Sequence, residues 1–413
     1  MAQTRPAPAP HASGTVGDRI GARELVVLIS AIMALMALGI DLMLPGFDEI
    51  GAAFDLPEDT NQTGQIITFY FFGLSIAQVI YGPLTDRFGR KPVLYLGIAI
   101  YVSGAAASAL APNFGLLLAA RLWWGIGAAG ARVVATSIIR DRFEGDQMAR
   151  AMSQVMMVFV IVPVFAPTVG AAVIAVLPWQ AMFWLCVICA GAVGLWAVRL
   201  PETLDPADVR PFGLRSAGRS YAEVARNPVT LGYTVASVFV QANMTGYLAT
   251  SELMIGDIFG REAAFPLVFG LVAIGFGFTA WINGRMVERV GMHAMIRVAL
   301  VVTLALGPIL VAITVVADGR PSFWVFVPMV AAMLSTGMFL MPNLNSLAMT
   351  PVGHIAGAAS AFTSAVRIGV GSVIAALATS SMRETVTPFA WLLLSMSVGA
   401  AITIFFVNRL ARA

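Results

Sequence analysis

Residues 82–91 read Gly82-Pro83-Leu84-Thr85-Asp86-Arg87-Phe88-Gly89-Arg90-Lys91, and residues 284–291 read Gly284-Arg285-Met286-Val287-Glu288-Arg289-Val290-Gly291. Glycine, acid, arginine and glycine recur in the same order, each displaced by 202 residues. In both places the run closes one apolar stretch and opens another. The two halves of the chain are therefore copies. The same displacement carries Asp41 onto Asn243, so both copies keep a polar residue there and only the first can titrate.

Working outward, apolar stretches of about 20 residues recur along the chain, each long enough to cross a bilayer core of about 30 Å. Twelve are expected, over 25–46, 62–83, 92–111, 114–138, 151–175, 179–198, 229–250, 264–284, 293–317, 322–346, 358–380 and 388–408. The composition agrees: of 413 residues 59% are hydrophobic and 11% charged, with a mean hydropathy of +0.84. Soluble domains carry roughly a quarter charged residues. The fold class is thus an all-α membrane protein of two six-helix bundles. Parallel six-span repeats of this kind are a transporter architecture. The expected layout is a disordered tail over 1–22, a first bundle over 23–198, a linker over 199–228 and a second bundle over 229–410. Pro201, Pro206, Pro211 and Pro228 mark the linker.

With the N-terminus placed inside, nineteen Arg and Lys fall on the inner side and three, Arg261, Arg320 and Arg383, on the outer. The positive-inside rule then puts both termini in the cytoplasm. Arg121, Arg132 and Arg367 lie within spans.

Several activities are excluded. Lys91 is the only lysine and Pro92 follows it, so no phosphate-cradling G-x-x-x-x-G-K-[ST] loop exists. His11, His293 and His354 are too far apart to place two ligands on one helix face, so no metal centre is expected. Cys186 and Cys189 share an apolar segment and read as small hydrophobes. No catalytic residue set, cofactor or nucleic-acid contact is expected.

The 82–91 segment resembles the loop 2–3 motif of the major facilitator superfamily. Gly39-x-Asp41-x-x-x-Pro45, Ala77-Gln78 with Gly82-Pro83, Arg121 with Gly125-x-Gly127, and Arg140-Asp141 look like the twelve-span drug/proton antiporters of the bicyclomycin and chloramphenicol-resistance type. The likeness is strong over about residues 25–200 and weaker beyond. The antiporter motif of span five departs from the family form, reading Val162-Pro163-x-x-Ala166-Pro167-x-x-Gly170-Ala171. The resemblance implies a bacterial inner-membrane carrier without a cofactor, driven by the proton gradient, with a cavity between bundles lined by spans 1, 4, 7 and 10. Its partners are a small-molecule substrate, protons and the bilayer, and a monomer is the simplest assembly.

Asp41 is the sole acid well inside an expected span, and intramembrane acids are costly and functional by default. It reads either as the proton-coupling site or as half of a fixed ion pair. Arg121, at comparable depth, either pairs with Asp41 or bonds carbonyls. Arg132, eleven residues later on the same helix face, either meets substrate or joins the cytoplasmic charge network. Arg367 faces substrate, Asn243, a carbonyl or a hydrated cavity. Gln241, Asn243, Asn343 and Asn345 are amide candidates, as able to tie helices as to bind ligand. Met338 with the other methionines, and Tyr70, are candidate cavity linings. Asp86, Arg87, Arg90 and Lys91, with Gly82 and Gly89, read as a gate latch in which Asp86 meets a helix N-terminus near Gly357. Glu288 and Arg289 repeat it in the second half. The expected activity is proton-coupled export of small, largely apolar molecules by alternating access. A metabolite symporter or facilitator and a non-transporting receptor or scaffold are the alternatives.

Overall fold

A computed structural model describes residues 20–57, 61–206, 209, 214–380, 382 and 384–411. Most of the expected tail, residues 207–208 and 210–213 of the linker, and Arg383 lie outside the described residues. Among those described, all regular structure is helical.

The first half contains α1 (Ala22–Asp41), a short α2 (Phe47–Ala53), α3 (Gln65–Phe88), α4 (Arg90–Ala109), α5 (Phe114–Arg142), α6 (Gly145–Met156), α7 (Val158–Ile174) and α8 (Gln180–Trp196). Then come α9 (Leu214–Arg226) and the second half: α10 (Pro228–Leu253), α11 (Phe265–Val290), α12 (Met292–Val316), α13 (Phe323–Ser335), α14 (Gly337–Met349), α15 (Ala356–Thr379) and α16 (Thr387–Leu410). Helices lie over each of the twelve expected spans, two of them in pieces. The fifth is α6 with α7, and the tenth is α13 with α14. At the second break the Thr336 hydroxyl donates to the Met333 carbonyl at 2.6 Å and its backbone N–H turns to the same oxygen at 3.2 Å. That local bonding competes with the helix ladder.

The first span is shorter than expected. α1 stops at Asp41 because Pro45, four residues on, has no N–H to donate to the Asp41 carbonyl. A 3₁₀ turn over Leu44–Gly46 follows. Asp41 thus ends a helix rather than lying within one.

The repeat is visible in the backbone. Gly89 has φ 95° and ψ 162°, and Gly291 has φ 82° and ψ 158°. Only glycine adopts this region cheaply. At each, one helix ends and the next begins one residue later.

The halves meet along two seams. α3 packs on α15, where the Ser75 hydroxyl donates to the Ala365 carbonyl at 2.7 Å. α7 packs on α11, where Gly270 faces Val164. In the stretch expected to be a linker, α9 docks on both halves. The Tyr221 hydroxyl donates to the Val79 carbonyl at 2.7 Å, and its ring stacks on Phe362.

Candidate functional site

A cavity of about 540 Å³ opens between α3 and α5 of the first half and α9, the 350–355 turn and α15 of the second. Gln78, Asp86, Arg132, Arg140, Gly357 and Ser364 are among its lining. It lies at the end of the molecule that carries the 82–91 motif. At the opposite end the halves touch, with Gly64 at the start of α3 against the Ala249 carbonyl of α10.

The motif forms a compact charge network. Arg90, buried, donates to Asp86 at 2.7 Å and to Asp141 at 2.8 Å. Glu202 caps α4, its two oxygens accepting from the backbone N–H of Arg90 at 2.8 Å and of Lys91 at 3.0 Å. A carboxylate there faces the positive end of the helix dipole. The Lys91 ammonium donates to the Val198 carbonyl at 2.9 Å, and Arg87 is exposed. Asp86 accepts from Arg90 and, among the described residues, from no backbone N–H of α15, so the expected contact with the N-terminus of α15 is not made. Glu288 and Arg289 are exposed and form no ion pair among the described residues.

Asp41 is 3% exposed and makes no hydrogen bond or ion pair among the described residues. It lies within electrostatic reach of the Tyr70 and Tyr247 phenols. The Tyr247 hydroxyl is buried without a hydrogen-bond partner among the described residues. Gly170 seats α7 against the turn after Asp41, since a side chain there would collide with the Leu42 carbonyl. Pro163 and Pro167 lie in the same helix.

Of the two readings of Arg121 the structure shows the second: it bonds carbonyls and does not pair with Asp41. Arg121 is 0% exposed. Both terminal nitrogens donate to the Gly39 carbonyl at 3.0 Å, and Nε donates to the Ile66 carbonyl at 3.3 Å. Tyr70 and Trp124 rings flank the guanidinium at 4.5 and 4.6 Å. Carbonyl dipoles and ring faces offset the charge in place of a carboxylate. Arg121 and Tyr70 are accordingly packed in the first bundle and are not part of the lining of the cavity between the halves, and the Tyr70 hydroxyl donates to the Met36 carbonyl at 3.0 Å.

Of the expected cavity residues Arg132 lines this cavity, whereas Arg367, Asn243 and Met338 do not, and its walls come from spans 2, 4 and 11 with α9 and the 350–355 turn rather than from spans 1, 4, 7 and 10. Arg367 donates to Gln241 at 2.8 Å and contacts the Met341 sulfur at 3.7 Å. Asn243 Oδ1 is buried without a hydrogen-bond partner among the described residues, and Met338 is half-buried. Asn343 is a helix tie rather than a cavity residue: its amide donates to Asn283 of α11 at 2.9 Å and to the Phe339 carbonyl at 2.6 Å. Sequence reading overlooked Glu202 and Glu252. The span expected to end at 250 runs to Leu253 as α10 and buries Glu252. An acid inside the run Leu248 to Ile255 was the legible signal.

The family model described as Major Facilitator Superfamily matches residues 28–376. A bicyclomycin resistance protein homolog of Haemophilus influenzae is 26% identical over 389 residues, covering 93% of this chain and 96% of its own. The multidrug resistance protein MdtL of Escherichia coli is 29% identical over 232 residues, 56% of this chain and 58% of its own. Among solved structures, a D-xylose–proton symporter superposes with a TM-score of 0.70 at 15% identity, covering 92% of this chain and 96% of that one.

Proposed function

The chain belongs to the Major Facilitator Superfamily, a family of membrane transporters, and from that premise we propose that it exports small, largely apolar molecules in exchange for protons. The observation that carries this reading is the cavity between the two halves, open at the motif end while the other end is closed. Two halves rocking about their shared seams would expose that space alternately to each side.

In this reading the motif end and both termini face the cytoplasm, as the distribution of arginines requires. The bundles are residues 23–198 and 229–410, and one chain suffices for a pore. The membrane is the bacterial inner membrane. Asp41 carries the proton: it is an acid without a partner, next to the turn on which α7 rests. Protonation removes the cost of its charge in a dry site, and access from the other side releases the proton. Movement of α7 past Leu42 would couple the two events. Arg132 and Gln78 supply polar contacts to a substrate from the cavity wall. The names of the relatives, bicyclomycin and multidrug resistance, point to drugs as the cargo class.

The test is accumulation of a small panel, including chloramphenicol and cationic dyes, in efflux-deficient cells that express the protein, with and without a protonophore. Lower accumulation that vanishes with the protonophore is expected. No difference for any compound would overturn drug export and leave a metabolite carrier.

A further inference from the structure

Away from the cavity, at the opposite end of the molecule, three carboxylates from both halves converge. Asp48 belongs to α2 of the first half. Glu252 lies in the last turn of α10, and Asp257 lies in the π-helical turn Met254–Ile258 that follows it. One oxygen from each lies within 4.8 Å of the other two. Glu49 and Glu262 are further acids close enough to act on the group electrostatically. The nearby base, Arg261, is turned away, its guanidinium 4.7 Å from the Phe323 ring and 5.4 Å from Trp324. Burial, with Asp48 and Glu262 beside it, pushes the Asp257 carboxyl up to about 6.

Glu252 supplies the independent observation. It is 4% exposed and makes no hydrogen bond or ion pair among the described residues. Its Oε1 lies against Gly256, 2.7 Å from where a side chain would begin, so the backbone there is bare on the side facing the carboxylate. A buried charged group is paired or coordinates a metal, or it neutralises.

We propose that Asp48, Glu252 and Asp257 bind a hard divalent cation of calcium size, which bridges the two halves and holds this end of the transporter closed. All three donors are carboxylate oxygens, the ligand type that calcium takes, at about 2.3–2.6 Å. Oxygens on a sphere of the longer radius can stand no more than about 5.2 Å apart, and the three, within 4.8 Å of one another, meet that limit. Asp48 and Asp257 are exposed, so water can complete the coordination while Glu252 anchors the ion from inside. One shared proton would neutralise a single carboxylate of three. A divalent ion offsets two charges and draws both halves to one centre. Separation of Asp48 from Glu252 and Asp257 on opening would dismantle the site, so the ion binds the closed form selectively and stabilises it. Its placement on the outer face rests on the orientation proposed above; the site itself does not.

The experiment needs no transport, which separates its failure from failure of the drug-export reading. Full-length protein in detergent micelles is titrated with Ca²⁺ by calorimetry and with Tb³⁺ by luminescence, and thermal unfolding is followed with Ca²⁺ or Na⁺. Expected are one Ca²⁺ per chain, a rise in unfolding temperature with Ca²⁺ but not Na⁺, and at least a roughly tenfold loss of affinity in Glu252→Gln and Asp257→Asn. Asp257 is exposed, so its variant keeps the test open if Glu252→Gln does not fold. Absence of saturable binding to monodisperse wild type, equal affinity in the variants, or stabilisation by acid alone would overturn the proposal.

Discussion

Asp41 is recognisable as an acid inside an apolar run, and the structure keeps it buried without a partner. Asp41→Asn should raise drug accumulation to the level of cells without the transporter, with insertion unchanged. Protonophore-sensitive efflux persisting in that variant would remove Asp41 from the mechanism. Arg121 was equally legible as an intramembrane base, but its partner was not. Depth along the chain left Asp41 and a backbone carbonyl equally open as partners, and the folded chain turns the guanidinium to the Gly39 carbonyl, two residues before Asp41. Arg121 therefore fixes the last turn of α1 rather than the carboxyl group itself. This use depends on a planar fork that bonds one oxygen twice and stacks between rings, which an ammonium cannot copy. Arg121→Lys should thus destabilise the detergent-solubilised protein by about 1–3 kcal/mol, read by thermal unfolding. Unchanged stability would mean that Arg121 acts as a point charge.

At the scale of elements, span positions were readable because about 20 apolar residues leave little freedom in where a helix crosses. Breaks were less so: Thr336 bonds its own helix backwards, and nothing in the hydropathy marks it. The glycine closing each motif copy allows a comparison within one chain. Alanine at Gly89 or Gly291 enters a backbone region costing about 1–3 kcal/mol for any side chain. At Gly291 the new methyl meets open space, whereas at Gly89 it meets the Glu202 carboxylate at 2.6 Å and displaces the cap of α4. Gly89→Ala should therefore lower the unfolding temperature more than Gly291→Ala. In the Gly89→Ala background, Glu202→Ala should add less than it does alone. Additive losses would show that Glu202 does not cap α4.

For the whole molecule, the cavity makes orientation testable. Ser364 lines it from α15. With Cys186 and Cys189 replaced by Ser, Ser364→Cys should react with a membrane-impermeant maleimide in inside-out vesicles and not in intact cells. A transported drug that closes the cavity should slow the reaction. Labelling from outside would invert the proposed topology. The sequence by itself determined the membrane class, the twelve spans, the two-fold repeat, the 82–91 motif and Asp41 as the acid to watch. These are written locally, in apolar length, in residue order at a fixed displacement, and in single charges within apolar runs. Only the tertiary structure decided which charges have partners. Arg121 finds Gly39 and Ile66, Arg367 finds Gln241, Asn343 finds Asn283, and Asp48 meets Glu252 and Asp257. Such pairs join residues tens to hundreds of positions apart. They are set by how helices rotate and pack, and no periodicity along the chain records that rotation.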